Sequence, residues 1–372
     1  MTPSLRQQIE QEIRERGPMP FSRYMEICLY DPVAGYYSRH AGQFGKAGDF
    51  YTSSDIHAVF GRLLARQFDE MWRELGSPAE IELLELGPGR GLFARDVLDW
   101  SQKKFPDLFH ALHYTLQESS PALRARLKEN LQKHIVAGKA SLAPEIFAVE
   151  TGLTVSRPEP PRIVFANEFF DALPVEILST HGKLHLSFEN GTVREVWLPP
   201  SAAELEFLDR YSVHPARGER IEVPLLAQRW IKALAGSLTR GVLLIVDYGY
   251  TGNEQLAGHH RGTLMAYRQH SASPDPYQAP GEQDLTAHVN FTALAAAADE
   301  AGLDVQPLST QSQFLMRIGE SNQFADAFED CRLPQERTKV ALQLKHLVTP
   351  AGMGETFQVL IASRGVTRVD ET

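Results

Sequence analysis

Cysteine is scarce in this chain: Cys28 and Cys331 are the only two in 372 residues, far apart and outside any CxxC or Cys/His ligand spacing. That excludes a disulfide framework and a thiolate metal centre, and no metal is expected. Long apolar runs are missing too, and no stretch approaches the roughly 18 residues of a membrane helix, so no membrane span is expected. The first sixteen residues mix Arg6, Arg14 and Arg16 with Glu10, Glu12 and Glu15. They resemble neither a secretory signal nor an acid-poor transit peptide, and with reduced cysteines the expected location is cytoplasmic. Basic excess is also absent. The net charge is −10 and no basic run interleaves with aromatics, which leaves no electrostatic footprint for nucleic acid. An acidic surface suits a cationic partner better. What is present, 43% hydrophobic and 23% charged residues, is an ordinary globular composition with ample core for one large or two modest domains.

The chain is organised around Ile81-Glu-Leu-Leu-Glu-Leu-Gly-Pro-Gly-Arg-Gly91. Its bulky apolar start reads as a strand buried on both faces. Gly87, Gly89 and Gly91 then alternate, and Leu92 to Leu98 reads as a helix. A strand running through a glycine turn into a helix offers bare N–H groups to a nucleotide-like ligand. A dinucleotide fingerprint needs glycine at position 92, where Leu92 stands. The pattern is E-x-G-x-G-x-G, with Glu85 leading; it resembles the first motif of class I S-adenosylmethionine methyltransferases. The next strand, Leu112 to Glu118, ends in an acid where a doubly wound fold places a ribose-binding carboxylate. A helix-start acid beside Ser119 and Ser120 is the alternative reading.

Elsewhere, Leu5 to Arg16 and Phe21 to Leu29 read as short helices. The stretch from Tyr30 to Ser54 reads as a loop rich in glycine and tyrosine, either functional or aromatic-packed. A helix covers Ile56 to Leu75, with Ser53, Ser54 or Asp55 as its cap. Pro121 to His134 predicts a helix, Leu142 to Val149 a weak strand, and Arg162 to Glu168 the fourth core strand. Around Asn190-Gly191, residues 177–198 predict a β-hairpin. Gly241 to Tyr250 is the fifth strand, residues 251–289 are a polar insertion, and Asn290 caps Phe291 to Ala301. Strands near Val305 to Gln313 and Thr356 to Ala362 flank a helix of roughly 335–347. The expected fold is α/β: one doubly wound sheet with a helical cap and two insertions over the carboxyl-end crevice. By segment, 1–76 form the N-terminal cap, 77–176 the first part of the core and 177–239 the hairpin and helical insertion. Residues 240–250 are a core strand, 251–289 the polar insertion and 290–372 the rest of the core.

Asn167-Glu-Phe-Phe-Asp-Ala-Leu-Pro174 follows the fourth strand. Glu168 and Asp171 would both face the crevice if the turn there is helical. Two carboxylates beside a methyl donor suit a guanidinium, which they orient by charge-assisted hydrogen bonds. Capping or solvating a turn is the plainer reading. The segment is not Asn-Pro-Pro-Tyr, which argues against nucleobase or glutamine amide substrates.

Together these segments resemble the MidA-like family, which includes the arginine methyltransferase of mitochondrial complex I assembly. The resemblance runs through Tyr24-Met25, Leu29 to Pro32, Gly35-Tyr-Tyr37, Gly48-Asp-Phe50 and Thr52-Ser53. It continues in Glu85 to Gly91, Ser120 to Arg124, Ala166 to Val175, Asp247-Tyr-Gly-Tyr250, Pro280-Gly281, Asp284 to Val289 and Thr310-Gln311. It implies a seven-stranded class I (Rossmann-like) sheet, S-adenosyl-L-methionine as donor and methylation of an arginine in a protein. On that basis Glu85, Gly87, Pro88, Gly89, Gly91, Glu118, Ser119 and Asn167 are donor-site candidates, and Asn167, Glu168 and Asp171 catalytic ones. Tyr37, Asp49, Phe50, Thr52, Tyr248, Tyr250 and His288 are candidates for the substrate pocket. His288 reads either as an orienting base or as a structural residue. A small-molecule or peptide methyltransferase and a binding-only assembly factor are the competing functions. The expected partner is a protein or peptide with a cationic side chain, and a homodimer is left open.

Overall fold

The computed structural model describes residues 4–39, 58–144, 160–189, 191–268, 271–273 and 275–366. Seven strands form the central sheet: β1 (Ile81–Leu86), β2 (Leu112–Gln117), β3 (Ala140–Leu142), β4 (Arg162–Asn167), β5 (Gly241–Tyr250), β6 (Asp304–Val305) and β7 (Phe357–Arg364). Their order is β6-β7-β5-β4-β1-β2-β3. From β3 to β5 all neighbours are parallel, and β7 runs antiparallel to β5 with Leu244 opposite Ile361. Two-residue strands, Val289–Asn290 on β5 and Ser309–Thr310 on β7, extend the sheet locally. This is the doubly wound α/β sheet that the sequence pattern predicts.

Residue alternation explains why both faces are covered. On β4, Ile163 and Phe165 join a core with helices Ala58–Glu74 and Leu92–Lys104, while Val164 and Ala166 join the opposite core with Leu225–Ser237 and Phe291–Glu300. β5 divides its Val, Leu and Ile side chains the same way. A strand buried on both faces reads as a near-continuous apolar run, as β5 does up to Asp247 and β4 does from Ile163 to Ala166, between Asn167 and the buried Arg162. Beyond the sheet, helices Leu5–Arg16 and Phe21–Tyr30 share a third apolar cluster with Leu184, Leu186 and Ile177 of an antiparallel sheet. Met19–Pro20, Gly182–Glu189, Glu176–Ser179 and Ile221–Val223 make up that sheet, and Thr192–Leu198 pairs with Gly182–Glu189.

Several expectations need correction. Pro121 to His134 is two helices, Pro121–Asn130 and Gln132–Val136, separated at Leu131. Asn130 Nδ2 donates to Arg90 O at 2.8 Å there, which ties the break to the glycine turn. The weak strand is centred earlier, at Ala140–Leu142, and residues from 145 to 149 lie outside the described ones. The expected strand at 305–313 is instead two short ones, Asp304–Val305 and Ser309–Thr310, and the Thr310 side chain caps helix Gln311–Glu320 in a capping box with Gln313. Within 251–289 the chain forms helix Gly252–Leu256 and a small sheet of Met265–Arg268, Ser271–Ser273 and Asp284–Thr286.

Candidate active site

The glycine turn after β1 holds three residues in the left-handed region: Gly87 (φ 62°), Gly89 (φ 56°) and Gly91 (φ 73°). Their surroundings differ. A Cβ on Gly87 would lie 3.0 Å from Phe169, and one on Gly91 2.4 Å from the buried Leu127. Among the described residues a Cβ on Gly89 would meet nothing within 4 Å, so that backbone fronts open space between them. Gly91 is the N-cap of helix Leu92–Lys104 and provides no side-chain cap. The first-turn N–H groups and the positive end of the helix dipole therefore remain for a ligand. Pro88 closes the turn, its carbonyl accepting from Gly91 N at 2.9 Å.

Glu118 lies just past β2, beside this turn. Its Oε2 accepts from Gly89 N at 3.2 Å and its Oε1 from Ser120 N at 2.9 Å. Burial raises its pKa to about 7, against the pull of those peptide N–H groups and that of Ser119. Glu85 sits deeper, accepting from Tyr114 Oη at 2.8 Å. Burial lifts it to about 8, partly offset by the tyrosine hydrogen bond and aided by Glu118.

At the end of β4 the chain turns out of the sheet on Glu168, a non-glycine residue at φ 50°. Glu168 N donates to Val246 O at 3.0 Å, and Asn167 Nδ2 donates to Glu168 Oε1 at 3.1 Å. Asp171 is buried. The Tyr248 hydroxyl donates to its Oδ2, while its Oδ1 makes no hydrogen bond of ordinary geometry among the described residues. Asn167 Oδ1 is likewise buried and without a donor there. Burial raises Asp171 to about 6, opposed by Tyr248 and the nearby Ala172 N–H. The loop is clamped from outside: Ala287 N donates to Asp171 O at 3.0 Å and Tyr30 Oη to Ala172 O at 2.9 Å.

The remaining candidates sort unevenly. Tyr37 Oη donates to the buried Asp284 at 3.2 Å, and its carbonyl accepts from Ser120 Oγ, so it joins the N-terminal helices to the β2 end. Tyr248 reaches Asp171. Tyr250 is 1% exposed, stacked on His260 at 5.1 Å with its hydroxyl held by Gln255; two residues on from Tyr248, it lies on the same face of β5 and packs into the protein there. His288 packs edge-on against Tyr248 at 5.4 Å, with its Nδ1 3.2 Å from His260 Nδ1. Burial and His260 lower its pKa to about 4, so at neutral pH it is an uncharged ring behind Tyr248. Asp49, Phe50 and Thr52, with the expected caps Ser53, Ser54 and Asp55, lie outside the described residues. Among the described residues no group of three or more His, Cys, Asp or Glu could hold a metal.

One residue of the site escapes the sequence pattern. Asp247 Oδ2 accepts from the peptide nitrogens of Phe169, Phe170 and Asp171. Its only signal is its place in the Asp247-Tyr-Gly-Tyr250 segment. Its partners are backbone groups nearly eighty residues earlier, which no side-chain pattern reports.

A family model described as "Putative S-adenosyl-L-methionine-dependent methyltransferase" matches residues 63–309. The chain belongs to that methyltransferase family. It is 31% identical to the mitochondrial protein arginine methyltransferase NDUFAF7 homolog of Drosophila melanogaster, over 98% of this chain and 85% of the relative. With the mitochondrial protein arginine methyltransferase NDUFAF7 of Homo sapiens it shares 28% identity, over 96% and 82%. A crystal structure from Burkholderia thailandensis bound to S-adenosyl-homocysteine is 27% identical, with a TM-score of 0.82 over 98% of this chain and 92% of that one. The central sheet is accordingly a class I methyltransferase fold. These relatives correct the cytoplasmic expectation: the curated ones carry mitochondrial names, and a cysteine count and a mixed-charge start do not encode a compartment.

The enzyme is thus a methyltransferase whose donor is S-adenosyl-L-methionine, which supplies a methyl group already activated on a sulfonium. The turn fits such a molecule. Gly89 would leave backbone room for it, the helix start would offer N–H groups to its carboxylate, and the Glu118 oxygens would accept from its ribose hydroxyls.

Proposed function

We propose that this methyltransferase modifies an arginine side chain of a protein substrate. The observation that carries the reading is the pair of buried acceptors, Asn167 Oδ1 and Asp171 Oδ1, that make no hydrogen bond of ordinary geometry among the described residues at and beyond the carboxyl end of β4. Buried acceptors are costly unless something donates to them. A guanidinium brings five N–H donors in a planar fork and a positive charge for Glu168 and Asp171. Those carboxylates would orient the fork, and one would take the proton released as the new N–C bond forms. Orientation of the nitrogen on the methyl carbon would supply most of the rate advantage. The printed names of the curated relatives, protein arginine methyltransferases, support the same reading.

The test is transfer from labelled S-adenosylmethionine into the proteome of a host lacking the gene, followed by mass spectrometry. The expected product is methylarginine that appears only with enzyme. Label confined to small molecules, or to lysine or glutamine side chains, would overturn the proposal.

A further inference from the structure

The parallel ladder between β5 and β4 ends at the pair Val246 and Asn167, and Glu168 N makes the last backbone bond, to Val246 O. One residue further on β5, Asp247 continues the ladder with its side chain. Its Oδ2 accepts from Phe169 N at 3.1 Å, Phe170 N at 2.9 Å and Asp171 N at 3.3 Å, and its Oδ1 from Tyr248 N at 2.9 Å. The group is fully buried. Four N–H donors converge on one carboxylate, which makes a nest for an anion inside the protein. This nest shapes the three residues that follow Glu168, itself held in a conformation that side-chain-bearing residues avoid.

We propose that Asp247 is a positioning residue for methyl transfer: it fixes the 168–171 segment so that Glu168 and Asp171 address the substrate. The inference rests on the reading of those two carboxylates as substrate-facing. Both Asp247 oxygens are taken by peptide nitrogens, so its role is through the segment and not on a reacting group. It acts by pulling three consecutive peptide planes to one point, which sets the direction in which the segment's side chains leave. Asparagine or glutamate in its place would fail for different reasons. The asparagine side chain would turn an NH2 donor toward at least one peptide N–H, and the glutamate side chain would carry the charge one methylene too far.

The test compares Asp247→Asn, Asp247→Glu, Glu168→Gln and the double variant Asp247→Asn/Glu168→Gln in the full chain. Four quantities are read: the initial rate of tritium transfer from labelled S-adenosylmethionine into deletion-host lysate protein, donor affinity by calorimetry, the unfolding midpoint, and amide exchange at residues 169–171. The expected result for Asp247→Asn is a rate lower on the order of 10²-fold, as a misplacement of about 1 Å would cause. Donor affinity stays within about threefold, exchange at 169–171 accelerates, and the double variant is little slower than the slower single one. A wild-type rate in folded Asp247→Asn, with Glu168→Gln impaired, would overturn the positioning role alone. Full activity in Glu168→Gln would instead remove the underlying reading. Loss of fold in both Asp247 variants, or loss of donor binding in step with rate, would make Asp247 a structural anchor and overturn the proposal.

Discussion

The Gly89 peptide N–H donates to Glu118 Oε2 at 3.2 Å, joining the turn after β1 to the acid after β2. The same carboxylate accepts from Ser120 N at the start of helix Pro121–Asn130. Glu118 is therefore a brace of the turn as well as a ribose acceptor candidate, and the two readings of that acid are compatible.

Gly89 and Gly91 are predicted to fail differently when substituted. Gly89→Val should fold, at a cost of about 1–2 kcal/mol for its left-handed backbone, and lose donor binding because its side chain enters the ligand's space. Gly91→Val should lose stability first, since its Cβ would stand 2.4 Å from Leu127 in the core. Calorimetry with S-adenosylmethionine and thermal unfolding separate the two. Equal donor affinity in folded Gly89→Val would contradict the placement of the donor.

Glu118 makes donor binding depend on pH. Its folded-state pKa is raised to about 7, so its ionisation is resisted in the free protein. The sign follows: this group's contribution to stability is full below about pH 4 and is lost as pH rises through 7. Donor affinity should move the other way, strengthening between about pH 6 and 8 as the carboxylate becomes available for ribose hydroxyls. Glu118→Gln should flatten that dependence and weaken binding at pH 8 by about 1–3 kcal/mol. A titration in which wild type and variant follow the same pH curve would leave Glu118 only its bracing role.

The strand-turn-helix unit and the buried strands are legible in the sequence because both are local. β5 reads directly from Gly241 to Tyr250, β1 from Ile81, Leu83, Leu84 and Leu86 ahead of the glycines, and the apolar run of β4 stops at Asn167. Elements stabilised by distant or short-range polar contacts are harder to read. The small sheet of Met265–Arg268, Ser271–Ser273 and Asp284–Thr286 has strands of three or four residues with little apolar alternation. The start of helix Gln311–Glu320 reads as strand from the residues before it, although Thr310 and Gln313 spell a capping box. Asp171 illustrates the limit within the site. Its carboxylate stands out in the sequence, but its burial and its hydrogen bond from Tyr248 depend on the packing of β5 against β4.

Tyr248→Phe should expose how Asp171 is tuned. The tyrosine hydroxyl holds the Asp171 pKa down against burial, with Asp247 and Glu168 as the neighbouring acids. Removing the hydroxyl raises that pKa further. If ionised Asp171 pairs with the substrate, the acidic limb of the pH–rate profile moves to higher pH. The rate at pH 7 should fall on the order of 10-fold, as for loss of a hydrogen bond to a charged group. An unmoved acidic limb would show that Asp171 does not titrate in the rate-limiting step.

The central claim is that the carboxylates beyond β4 hold a cationic nitrogen against the methyl donor. Glu168→Gln tests it most directly, because it keeps size and one acceptor oxygen while removing one negative charge. The measurement is the rate of methyl transfer to arginine-bearing protein at saturating S-adenosylmethionine, with donor affinity determined on the same preparation. Donor affinity should be unchanged and the rate lower on the order of 10²-fold or more, the scale for losing one preorganised electrostatic contact. A variant with wild-type turnover would contradict it and leave Glu168 as a turn residue.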